Sequence, residues 1–246
     1  MLISAINETN KIISKKKFII LFSLSILITV AAAIINMVTG RTFGVSLLNN
    51  STLPVTVLNF MSSIILPLFI IMLTTDLFSG EFSDNSIIMS LVRPISRFKI
   101  YISKIISIGI CALIFLLGTF IISFIASLFG GNFSDIVSRL PINFVSYICA
   151  AVPMLLIAII SAFVSQFSKS GALTIVIMIL ASVLMSSVSI FIPQLVPFVP
   201  SAYLDWYKNF YSGVEFTHIL NEFLYILAYG IIFMSAGSYL FQQRDI

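Results

Sequence analysis

Apolar residues fall in six long runs separated by short polar stretches, at about 18–38, 55–75, 105–129, 142–166, 172–192 and 219–241. Each run is long enough for a helix to cross a hydrocarbon layer of about 30 Å, which takes about 20 residues. No charged residue lies near the centre of any run. Lipid offers the backbone no hydrogen-bond partners, so all six are expected to be helices. Pro67 and Pro153 fall inside the second and fourth runs, where each removes a backbone bond and predicts a kink. The first run follows Lys15, Lys16 and Lys17 and contains alanines at 31–33, a pattern similar to a secretory signal. It continues through Ile34, Ile35, Met37 and Val38, and so reads as a retained span.

A different pattern precedes it, over about 1–16. Ser4, Asn7, Glu8, Lys11 and Lys15 follow helical steps, while Leu2, Ile6 and Ile13 fall on another face. This is the pattern of an amphipathic helix lying in the membrane interface.

Composition agrees with this reading. The chain is 59% hydrophobic and 9% charged, with a mean hydropathy of +1.15, whereas soluble domains carry about 25% charged residues. The expected fold is a single all-α integral membrane domain over residues 1–246, with six transmembrane helices, an N-terminal interfacial helix and a short cytoplasmic helix. Cys111 and Cys149 both lie in apolar runs with no metal-ligand spacing. The net charge of +4 does not point to nucleic acid, because the basic residues sit at membrane boundaries. They also set orientation, since Lys and Arg favour cytoplasmic loops. Six spans put Lys11, Lys15, Lys16, Lys17, Arg93, Arg97, Lys99, Lys104, Lys169 and Arg244 on one side. Arg41, Arg139 and Lys208 fall on the other. Both termini are therefore expected in the cytoplasm.

The stretch 193–218 is then an outer loop with several prolines and Tyr203, Trp206, Tyr207 and Tyr211. The prolines argue against one continuous helix. Two readings stay open: a partly re-entrant or surface-lying segment, or an ordinary aromatic belt at the headgroups.

Residues for intramembrane chemistry are missing. The single histidine, His218, stands at the edge of the sixth run and belongs to no HExxH pattern. Ser96–Lys99 reads as SxxK, but in a loop and without partner motifs. No phosphate-binding glycine loop occurs. The apolar runs carry none of the acidic or basic groups that ion-coupled transporters place at depth, Glu215 and Glu222 near the outer boundary being the nearest candidates. No catalytic residue and no cofactor is expected on this chain.

Charge gathers instead between the second and third runs. Asp76, Glu81, Asp84, Arg93, Arg97, Lys99 and Lys104 fall within 29 positions of a chain with only 13 basic and 9 acidic residues. Asp76 to Ser83 is expected to leave the membrane. Asn85 to Val92 reads as a short helix capped by Ser83 or Asp84, with Ile87, Ile88 and Leu91 on one face. Arg93–Pro94 breaks it, and Ser96 can cap the next helix. Topology accounts for the basic residues here but not for the acids, the helix and the break together.

"GEFSDNSIIMSLVRPISRFKIYISK" resembles the first cytoplasmic segment of type-2 permeases of the ABC transporter family. The similarity rests on Glu81, Asn85–Ser86, Leu91, Pro94, Ser96, Arg97 and Lys104, with Asn85 where the family often has Gly. The tail "FQQRDI" is also similar. The resemblance implies a permease subunit of an ATP-driven bacterial exporter in the plasma membrane, paired with an identical or paralogous second permease. A separate ABC ATP-binding subunit would carry ATP and Mg. Its contacts would be Glu81, Asp84, Asn85, Ser86, Leu91, Arg93, Pro94 and Arg97 on the coupling helix, and Gln166, Ser168 and Lys169 on the second cytoplasmic loop. The short loops suit a drug or amphipathic-peptide exporter. The alternative is a membrane scaffold or sensor that transports nothing.

Overall fold

The computed structural model describes residues 2–43, 50–81, 96–129, 132–168 and 170–243, and among these every regular element is helical. Helix α1 is Leu2–Ile13, α2 Lys16–Phe43, α3 Leu53–Gly80, α4 Arg97–Leu128, α5 Phe133–Ser165, α6 Gly171–Phe191 and α7 Phe216–Gln243. Five are long and apolar enough to cross a membrane: α2 over Lys16–Asn36, and α3, α4, α5 and α7. The protein is thus a helical membrane protein. The sixth apolar helix, α6, contributes a shorter apolar stretch, Gly171–Met185.

Helices α4 and α5 begin well before the apolar runs they contain, at Arg97 rather than about 105 and at Phe133 rather than about 142. Hydropathy marks only the part of a helix that prefers lipid, and polar first turns extend beyond it. Ser96, Asn132 and Ser170 hold extended backbones at the N-cap positions, yet none makes a side-chain capping bond. Ser96 therefore marks the start of α4 without capping it as expected.

Helix α3 is irregular where Pro67 predicts a kink. It is α-helical over Leu53–Phe60 and Leu66–Thr75, and π-helical over Met61–Ile65 and again over Asp76–Gly80. The Leu66 N–H donates to the Met61 carbonyl, a five-residue step that widens the turn just before the proline.

Helices α4 and α5 pack together at the centre. Helix α3 lies against both, α7 covers α5, α6 meets α3 and α5, and α1 and α2 lie on α4. Phe69 and Phe115 meet at a tilt with ring centroids 4.7 Å apart, and Phe18 and Phe22 of α2 extend the cluster. Buried hydroxyls bond to the preceding turn of their own helix, as Thr74 does to the Ile70 carbonyl at 2.7 Å and Thr119 to that of Phe115 at 3.0 Å. This meets most buried hydroxyl donors within an apolar setting, the Tyr101 and Ser161 hydroxyls being exceptions.

The segment 193–218 is not one helix, as its prolines predict. It forms 3-10 turns at Pro193–Phe198, Pro200–Tyr203 and Trp206–Lys208, then one helical turn, Asn209–Ser212. Gly213 closes that turn with φ 71°, a left-handed backbone that glycine adopts freely. Tyr203, Trp206 and Tyr207 are buried. The Trp206 indole N–H donates to the Ile219 carbonyl at 3.1 Å, and the Tyr207 and Tyr211 hydroxyls reach Asn59 Oδ1 at 3.0 and 3.2 Å. Tyr207 also bonds to Ser62 in the first π-turn. These rings therefore pack on protein: α3 supplies the polar partners of Tyr207 and Tyr211, and α7 that of Trp206.

Candidate functional site

The expected contact segment starts at Glu81, and Glu81 sits in a buried charge cluster. The π-turn Asp76–Gly80 carries α3 further than the expected exit at Asp76, turning Leu77, Phe78 and Ser79 inward. Glu81 follows with 4% of its surface exposed. Its Oε2 accepts from Lys104 Nζ at 2.5 Å and its Oε1 from Lys11 Nζ at 2.5 Å. One carboxylate thus ties α1, α3 and α4 together. Lys104 was expected where the third apolar run begins, and nothing in the fold contradicts that. It stands about two turns inside α4, fully buried, and also donates to the Leu77 carbonyl at 2.7 Å. Its ammonium lies 5.6 Å from the Phe78 ring centroid. A buried ammonium needs this full set of partners, because an unpaired charge out of water is too costly to hold.

Burial on its own would push the Glu81 carboxyl upward. The charges and hydrogen bonds of Lys104 and Lys11 outweigh it and hold the group below its ordinary value. Burial likewise disfavours the charged form of Lys11, and the bond to Glu81 reverses the sign and raises it. Glu81 is therefore an anion held by two cations. Glu8 of α1 adds a second negative charge near Lys11 and Lys104, and its Oε2 is buried without a hydrogen-bond partner.

Helix α1 reaches this cluster by a face that its polar pattern did not predict. Ala5, Thr9 and Ile12 are buried, while Ile6 is exposed. Small side chains at Ala5 and Ser103 let the two helices approach, and Ser107 donates to the Ala5 carbonyl at 2.9 Å. So α1 docks on α4 rather than merely lying on an interface. Beside it, Lys17 clasps both oxygens of Asp76 at 2.9 and 3.1 Å, and Lys15 approaches at 3.6 Å. These pairs are more exposed and worth at most about 1 kcal/mol each.

The last residue of the segment is also anchored. The Arg97 guanidinium donates to the Gln242 carbonyl at 3.0 Å, joining the start of α4 to the end of α7. In the second loop, Ser168 is turned inward. It bonds to Thr174 and sits 3.4 Å from the Ser79 hydroxyl, which itself reaches the Ser165 carbonyl at 3.3 Å. Gln166 donates to the Ala162 carbonyl at 3.0 Å, and its Oε1 is buried and unpartnered. Among the described residues of this loop Phe167 points outward, 68% exposed, and sequence reasoning passed over it. Asp84, Asn85, Ser86, Leu91, Arg93 and Pro94, with the expected short helix, lie outside the described residues, as does Lys169.

The structure thus brings together Glu81, Lys104 and Lys11, and separately Arg97 with the C-terminal helix. Helix α1 and the last turn of α7 meet the start of α4 at this end of the bundle. No group of three or more His, Cys, Asp or Glu among the described residues is placed to hold a metal.

A helical membrane protein with a charge-locked terminal face is the class these features define. The chain belongs to the family described as "Protein of unknown function (DUF2705)", whose model matches residues 48–246. Glu81, Arg97 and Lys104 fall inside the match, and Lys11 falls before it. No curated protein matches the sequence.

Proposed function

We propose that this chain is the permease subunit of an ATP-driven ABC exporter, with six spans including α6 and both termini cytoplasmic in a bacterial plasma membrane. The segment from Glu81 to Arg97 is the coupling element, and a separate ATP-binding subunit seats on it. A second permease, identical or paralogous, completes the path for an amphipathic peptide or hydrophobic drug.

One observation carries this reading: both ends of the segment are fastened to the bundle. At its start, Glu81 is held by Lys11 and Lys104. At its end, Arg97 is held to α7. A force applied between them would reach α1, α3, α4 and α7 together. A buried ion cluster resists deformation, and so passes on displacement rather than absorbing it. The basic bias of the loops at this end supports the cytoplasmic assignment.

The direct test is purification of the full chain from its native membrane in mild detergent, with and without cross-linking, followed by mass spectrometry of what accompanies it. The expected outcome is a stoichiometric protein carrying a nucleotide-binding glycine loop. Recovery of the chain with no such protein, even after cross-linking, overturns the exporter reading and favours a scaffold or sensor.

A further inference from the structure

The charge cluster at the end of α3 holds one more carboxylate than its bonds use. Two ammoniums, Lys104 and Lys11, share the two oxygens of Glu81. Glu8 of α1 makes neither of these bonds. Its Oε2 is nonetheless buried, with no hydrogen-bond partner among the described residues, and its charge acts on both Lys11 and Lys104. Its place on α1 explains this. Glu8 stands three residues after Ala5 and four before Ile12, on the buried stripe that meets α4. That contact is fixed in register. Ser107, one turn on from Lys104, donates to the Ala5 carbonyl at 2.9 Å, and the Ser4 hydroxyl lies 3.5 Å from that of Ser103.

We infer that Glu8 is a reserve counter-ion for Lys104: when Glu81 is withdrawn, Glu8 takes its place beside the buried ammonium. Two features favour an exchange over a fixed lattice of four charges. First, the two lysines differ in need. The Lys104 side chain is 1% exposed and that of Lys11 is 47% exposed. Lys11 can turn to water when Glu81 leaves, and Lys104 cannot. An ammonium left alone out of water is too costly to hold, and besides Glu81 the acid whose charge reaches Lys104 is Glu8. Second, the spare oxygen is already out of water. Its desolvation is met before any exchange, so pairing it with Lys104 gains a charge-assisted bond without burying anything further. The end of α3 can then let go of the bundle at Glu81 without stranding a charge, while α1 stays docked on α4. As long as Glu81 is in place its two bonds resist small displacements, and the exchange begins only where they break. The inference does not depend on the exporter reading.

The test is a set of substitutions in the full chain, purified in detergent and followed by the temperature at which its monodisperse peak is lost. Glu8→Gln alone should shift that temperature little, since Glu81 holds both lysines. In the Glu81→Gln background the same substitution should produce a shift at least about twofold larger, because no carboxylate then meets Lys104. Adding Lys104→Met to that double variant should recover stability, since the charge in need of a partner is gone. This last comparison also decides the case in which Glu8→Gln/Glu81→Gln gives no monodisperse peak: Lys104→Met should restore one. An equal or smaller shift for Glu8→Gln in the Glu81→Gln background overturns the proposal. So does a loss that Lys104→Met fails to relieve, which would make Glu8 a packing residue of α1.

Discussion

Lys104 has a side chain only 1% exposed, and its charge persists there because Glu81 and the Leu77 carbonyl meet it. Removing one member of such a pair leaves the other charge stranded, which typically costs about 3–5 kcal/mol. Lys104→Met should therefore lower the temperature at which the detergent-solubilised protein loses its monodisperse peak. The double variant Glu81→Gln/Lys104→Met should lose less than the two single losses combined, because the charge it leaves without its carboxylate, Lys11, is half exposed to solvent rather than buried. Additive losses would mean the two side chains do not act as a pair. At this scale the sequence made the charges conspicuous but not their pairing. Glu81 lies 23 positions from Lys104 and 70 from Lys11. Hydropathy reads Lys104 as a boundary lysine, and nothing local says that an acid folds back over it.

At the scale of elements, the apolar runs reveal which segments are helices, while contacts between helices depend on shape that hydropathy does not encode. Gly237 illustrates this. A Cβ on it would fall 2.3 Å from the Tyr101 hydroxyl and 3.5 Å from the Phe163 backbone, so α7 closes on α4 and α5 only because that position is bare. Gly237→Ala should loosen α7 and cost about 1–3 kcal/mol, the usual scale of overpacking. Tyr101→Phe should restore much of the loss, since it deletes the colliding oxygen. That oxygen is buried with no hydrogen-bond partner, so little is given up by removing it. The check is the same thermal measurement on the single and double variants; no rescue would place the clash elsewhere. The irregularity of α3 was half legible. Pro67 announced a break, but the π-turn before it and the second one at Asp76–Gly80 follow from what packs there, including Tyr207 against Ser62.

At the scale of the whole molecule, the fastening of both ends of the segment 81–97 has a mechanical consequence on the exporter reading. Glu81→Lys places three cations together, and Arg97→Glu repels the carbonyl end of α7. Each should sever one anchor while leaving the apolar helices able to insert. The expected outcome is unchanged membrane insertion, retained ATP hydrolysis by the partner subunit and loss of export. Unaltered export in both variants would remove the coupling role. Membrane residence and the helical class were plain from six apolar runs. The docking of α1 on α4 was not, because Ala5, Thr9 and Ile12 form a small and barely hydrophobic face beside a more obvious apolar one.

The burial of Trp206 has an optical consequence. It is the chain's single tryptophan, set edge-on to Phe210 at 5.1 Å and tilted over Phe223 at 5.6 Å, with its N–H tied to Ile219. Its fluorescence belongs to one place only, the seam where the proline-rich segment meets α7. Emission near the blue end reports that segment seated, and a red shift reports water at the indole, so the protein carries its own dye for the opening of that face.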